Sequence, residues 1–142
     1  MKKVVIAYWS GTGNTEVMAK QVAKGVTDAG GEAVLKPVTE TTAALVKEAA
    51  ALAFGCPAMG AEVLEENEVE PFIGGLSSGE VGEKPLGLFG SYDWGDGQWM
   101  RDWADRMKAL GAKVDGEGII AHLAPDESDL AKCYELGKRL AV

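Results

Sequence analysis

The chain has 142 residues, 46% of them hydrophobic and 25% charged, values that suit one folded domain with a single core. Its 22 acidic and 14 basic residues leave a formal net charge of −8, which argues against nucleic acid as a partner, because phosphate backbones call for basic faces. The apolar runs are far too short to cross a bilayer, and Cys56, Cys133 and the one histidine show no zinc-site spacing and no CxxC pair.

The N-terminal "MKKVVIAYWS" has two lysines and only a brief apolar run, so it reads as a first strand and not as a leader. Val4 to Tyr8 is apolar throughout, the pattern of a strand buried on both faces. From Thr15, Val17, Met18, Val22 and Val26 recur at helical spacing until Gly30-Gly31. Glu32 to Val38 reads as a second strand. Thr41 or Thr42 caps a short helix through about Ala50. Ala51 to Pro57 is a third apolar run, followed by the loop "AMGAEVLEENEVEPF" with its acidic cluster. Lys84 to Ser91 is a fourth strand, then the turn-rich "YDWGDG". Trp99, Trp103, Met107 and Leu110 mark the buried face of a helix. Gly118 to Leu123 is a fifth strand, and Asp126 caps a last helix to Ala141. This alternation predicts one α/β domain over residues 1–142, a parallel sheet with helices on both faces. In such folds ligands bind beyond the carboxyl ends of the strands. Three loops rich in Gly, polar and aromatic residues leave strands there: Ser10–Thr15, Pro57–Glu62 and Ser91–Gly97.

The first loop, "SGTGNT", looks built for an anion, yet no Lys, Arg or His stands between Val4 and Ala19. It is not a P-loop, because Asn14-Thr15 replaces the Lys that reaches a nucleotide's terminal phosphates. Nor is it the dinucleotide fingerprint, since Glu16 occupies the third glycine position. Backbone N–H groups and the helix dipole can still hold a monophosphate, with Ser10, Thr12, Asn14 and Thr15 adding side-chain donors. In the second loop Met59 offers a polarizable surface, Gly60 a peptide that can flip, and Glu62 a carboxylate. In the third, Trp94 lies off the helical stripe that claims Trp99 and Trp103 for the core. A ligand with one terminal phosphate, a polar middle and a flat aromatic head suits all three loops, and flavin mononucleotide (FMN) has that form.

These segments resemble the flavodoxins, specifically the short-chain clostridial type. "YWSGTGNTE" resembles the family's phosphate loop, "GCPAMGAEVLEE" followed by "VEPF" its second flavin loop, and "LFGSYDWGDGQWMRDW" its third loop and helix. The likeness spans essentially the whole chain. It implies a flavodoxin-like three-layer sandwich whose five-stranded parallel sheet has the order 2-1-3-4-5. It implies noncovalent FMN, with the phosphate on Ser10, Gly11, Thr12, Gly13, Asn14 and Thr15. Pro57, Ala58, Met59, Gly60, Ala61 and Glu62 would form the second wall. Met59 would cover the inner ring face, Glu62 would accept from the ring N3–H, and the Gly60–Ala61 peptide would flip toward N5. Ser91, Tyr92, Asp93, Trp94 and Gly95 would form the third wall, with Trp94 on the outer face. Two residues depart from the family: Asp93 stands where glycine is usual, and Ala61 replaces a small polar residue or glycine.

The resemblance further implies a low-potential one-electron carrier shuttling between semiquinone and hydroquinone. Carboxylates among Glu62, Glu65, Glu66, Asp93 and Asp96 would disfavour the anionic reduced ring. An acidic rim would guide brief docking of a monomer to basic patches on reductases and acceptor enzymes. The two thiols are expected buried, in a cytoplasmic protein. The residues supply no general base, nucleophile or second substrate pocket, hence no catalytic residue and no metal, and His122 is expected to fill a strand end. The alternative is a small flavin or quinone reductase, which Trp94 over the ring would obstruct. A receiver-type signalling domain lacks its acidic residues at Tyr8-Trp9-Ser10 and Cys56-Pro57.

Overall fold

The structure is a computed structural model that describes residues 1–142. Its sheet runs β2 (Glu32–Pro37), β1 (Lys3–Tyr8), β3 (Ala51–Gly55), β4 (Pro85–Tyr92), all parallel. The far edge holds two short segments: β5 (Lys113–Val114) pairs with Pro85–Leu86, and β6 (Ile119–His122) with Phe89–Tyr92. The expected order 2-1-3-4-5 therefore holds, with the fifth position shared by two strands.

The continuous apolar runs have a direct cause. Val5 and Ala7 of β1, Leu52 and Phe54 of β3, and Leu86 and Leu88 of β4 face one core layer with Trp99, Trp103 and Met107. Val4, Ile6, Ala51, Ala53 and Phe89 face the other, against Met18, Val22 and Val26 of α1 (Asn14–Asp28) and Cys133, Leu136 and Leu140 of α6 (Glu127–Ala141). With both faces covered, the central strands carry apolar side chains along their length, and the one buried polar residue, Ser91 near the end of β4, is hydrogen-bonded to Thr15. The tryptophans of α5 (Gln98–Ala109) are buried as their spacing predicts. Asp126 caps α6, accepting from Asp129 N–H while the Asp129 carboxylate accepts from Asp126 N–H.

Several boundaries move. Thr42 caps α2 (Ala43–Glu48) by accepting from Leu45 N–H, but the helix stops two residues early, and β3 ends at Gly55 and not at Pro57. Pairing on both sides of Ala51–Gly55 overrides alanine's helical preference. The segment after Pro57 contains α3 (Val69–Gly74), and α4 (Ser78–Val81) follows it. Both helices are too short to show a period in the sequence.

Candidate functional site

The loops that follow β1, β3 and β4 meet on one rim. In the first, Ser10 Oγ accepts from Gly13 N–H at 3.0 Å and from Glu16 N–H at 3.3 Å. Ser10 thus ties the loop to the first turn of α1 and keeps its own O–H as a donor. Gly13 is the N-cap and turns the chain at φ 96°, in the left-handed region that glycine enters without strain. The N–H groups of Gly11, Thr12, Asn14 and Thr15 donate to no acceptor within the protein. Thr15 is buried, and buried N–H groups in folded proteins are nearly always paired. An acceptor from outside the chain would satisfy these four donors at the positive end of α1. The Thr15 hydroxyl itself faces Ser91: Oγ1 lies 3.3 Å from Ser91 Oγ and accepts from Ser91 N–H at 3.4 Å.

The second loop is fastened at both ends. Cys56 N–H donates to Phe89 O and Ala58 N–H to Ser91 O. Met59 and Val63 then exchange two backbone bonds, of 2.8 and 3.0 Å, around the three residues Gly60, Ala61 and Glu62. Gly60 takes φ 48° and Glu62 takes φ 57°. Burial pushes the Cys56 thiol up to about 12, so it is a neutral packing group and not a nucleophile.

The third loop begins at Ser91, whose N–H and C=O are both engaged as described, so Ser91 supports the wall from behind. The N–H groups of Asp93, Trp94 and Gly95 have no acceptor in the protein. The Tyr92 ring packs against Trp99 and His122, at centroid distances of 5.7 and 5.1 Å. His122 does more than fill a strand end: Nε2–H donates to Asp93 O at 2.9 Å. Trp94 is 61% exposed. Neither Asp93 nor Ala61 takes positive φ, so the two departures from the family pattern bring no left-handed strain. Asp96 pairs with Arg101, at 2.9 Å.

A cleft of about 230 Å³ opens between Gly11, Thr12 and Asn14 on one side and Pro57, Ala58 and Met59 on the other, with Ser91, Tyr92 and Asp93 along its back. A second cleft of about 200 Å³ shares Ala58, Met59 and Asp93 with it and reaches Gly60, Glu62 and Trp94. The expected residues Ser10, Gly13, Thr15, Ala61 and Gly95 lie outside both linings and shape the loops that carry them. Two residues on the first lining escape sequence reasoning, Trp9 and Leu123. Trp9 lies between the end of the first strand at Tyr8 and the anion loop at Ser10, and its side chain suggests no role in holding an anion. Leu123 ends "GIIAHL" and reads as the last apolar residue of the fifth strand.

Glu65 corrects the expected acidic set. It is buried, and its carboxylate accepts from the N–H groups of Asn67, Glu68 and Val69 at 2.7 to 3.0 Å, so it braces α3 and does not face the clefts. A larger groove of about 440 Å³ lies between α6 and the link from β5 to β6. Arg139 donates there to both Asp115 carboxylate oxygens, and the lining carries no aromatic or thioether side chain for a flat ring. The rim is the better site on chemical grounds. It offers free donors for a phosphate at one end, and an indole and a thioether for a flat ring at the other. The residues present fit FMN.

The flavodoxin family model matches residues 6–137. The chain is 45% identical to the flavodoxin of Clostridium beijerinckii over 136 residues, 96% of this chain and 97% of that one. It is 43% identical to the flavodoxin of Megasphaera elsdenii over 138 residues, 97% of this chain and 98% of that one. The solution structure of two-electron reduced Megasphaera elsdenii flavodoxin superposes with a TM-score of 0.85 at 40% identity, covering 97% of this chain and 98% of its own.

Proposed function

The chain belongs to the flavodoxin family, FMN-binding electron carriers and not catalysts of substrate conversion, and on that premise we propose that its three-loop rim is the FMN site. FMN, when bound, supplies the redox chemistry, taking up and releasing electrons singly. The protein supplies grip and electrostatics. N–H groups of Gly11, Thr12, Asn14 and Thr15 hold the phosphate, helped by the hydroxyls of Ser10 and Thr12 and by the α1 dipole. Met59 and Trp94 flank the ring, with Pro57, Ala58 and Tyr92 closing the walls around it. N–H groups of Asp93, Trp94 and Gly95 donate to its carbonyl edge. Glu62 accepts from a ring N–H, and the Gly60 carbonyl serves a protonated ring nitrogen. Carboxylates of Glu62 and Asp93 disfavour added negative charge on the ring and so lower the potential, while Asp96 is offset by Arg101.

The observation that carries this reading is the run of four free N–H groups at the start of α1. We infer further that residues 1–142 act as one domain and as a monomer, and that the protein works in the cytoplasm. The two buried free thiols support a reducing compartment. No helix is long and apolar enough to cross a membrane. Partners are redox proteins with basic patches, met briefly, a reading supported by the net charge of −8. Stepwise electrochemical reduction of the FMN-loaded chain tests the function. Two separated one-electron steps are expected, with no bleaching by NADH or NADPH alone. Rapid bleaching by either nucleotide without a reductase would favour the enzyme reading.

A further inference from the structure

Glu62 is the one residue of the three-loop rim outside glycine that combines positive φ with a carboxylate held by another loop. Its backbone sits at φ 57°, a region that costs a residue with a Cβ about 1–2 kcal/mol. Its Oε1 accepts from Asp96 N–H at 3.0 Å and from Gly97 N–H at 3.1 Å, across a sequence separation of more than thirty residues. Gly97 is buried and is the N-cap of α5, which has no side-chain cap of its own. Without Glu62, the Gly97 N–H would be buried and unpaired, a costly state. A carboxylate placed there also meets the positive end of the α5 dipole. Gly95 makes room for it: a Cβ at that position would lie 2.0 Å from Glu62 Oε1. The cleft between Met59 and Trp94 is bounded by the two loops this carboxylate joins.

We propose that Glu62 is a positioning residue that locks the second loop to the third and to the start of α5, so that the ring-binding cleft stands open before FMN arrives. The two carboxylate oxygens divide the work. Oε1 holds the Asp96 and Gly97 amides, and Oε2 stays available for the ring N–H. The proposal rests on the FMN reading for its purpose, but the lock itself belongs to the chain alone.

Two variants separate the roles. In E62Q the amide oxygen can still accept from Asp96 and Gly97 N–H, while its NH2 group cannot accept from the ring. In E62A both bonds are lost. Amide hydrogen exchange is measured on the full chain with FMN removed, each rate referred to the core amide of Leu52 in the same sample. E62A is expected to speed exchange at Gly97 and Asp96 by about tenfold or more, with E62Q staying within about threefold of the parent. In FMN titrations E62A should lose affinity beyond E62Q by about tenfold. Unchanged exchange in E62A, or exchange and affinity losses alike in the two variants, would overturn the lock. Failure of the parent chain to bind FMN would instead refute the functional reading and leave the exchange result standing.

Discussion

Trp94 is the largest hydrophobic side chain that the protein leaves in water, 61% exposed on a loop whose neighbours are turn residues. An indole in that position contributes little to folding and has much surface to offer a ring. Trp94→Ala should therefore weaken FMN binding by about ten- to a hundredfold, since aromatic stacking adds to the area it covers. The unfolding free energy of the FMN-free chain should move by no more than about 0.5 kcal/mol. Flavin fluorescence titration and urea unfolding read the two quantities, and a stability loss matching the affinity loss would return Trp94 to the core. At this scale the site was largely legible, because glycine, hydroxyl and aromatic residues cluster where strands end. Trp9 and Leu123 were not, since nothing local separates a rim residue from the end of a buried strand. The bond from Glu62 to the Asp96 and Gly97 amides was not legible either, because it exists only once two distant loops meet.

Among the elements, α3 shows how a short helix is held from outside itself. It has six residues, contains Pro71, and its N-cap Glu68 makes no side-chain cap. Glu65 does that work from three residues upstream. Burial pushes its carboxyl up, but the donors Val69, Asn67 and Glu68 outweigh burial and hold it below the usual carboxylate range. A group whose folded pKa is depressed stabilises the fold above its unfolded pKa, near 4.3 for Glu. That contribution is lost as pH falls through the folded value. Glu65→Gln should thus cost about 1 kcal/mol at neutral pH, and the gap to the parent should narrow below about pH 4. Urea unfolding at pH 7 and at pH 3 measures it, and a gap independent of pH would refute the assignment. The central strands β1 and β4 were readable because both their faces are buried. Helix α4 left the signal "SSGE", whose Ser77 and Glu80 form a capping box, but four residues carry no periodicity. β5, two residues long, left none.

For the molecule as a whole, the parallel sheet decides where chemistry can occur. Every strand points its carboxyl end at the same rim, so three loops far apart in sequence become neighbours, and Gly90 lets β3 and β4 approach closely there: a Cβ on it would lie 2.1 Å from Cys56 O. This arrangement was legible from the alternation of strand and helix, while the division of the fifth strand depends on a register that alternation does not encode. FMN binding at this rim requires a phosphate held by backbone amides and a ring held beside an indole, two contacts that different ligands can probe separately. The most direct measurement is the amide and indole NMR spectrum of the FMN-free chain titrated with FMN, with riboflavin, and with inorganic phosphate. Gly11, Thr12, Asn14 and Thr15 amides should shift with FMN and with phosphate and stay still with riboflavin, while the Trp94 indole should shift with FMN and riboflavin only. First-loop amides that ignore FMN, or that answer riboflavin as they answer FMN, would contradict it.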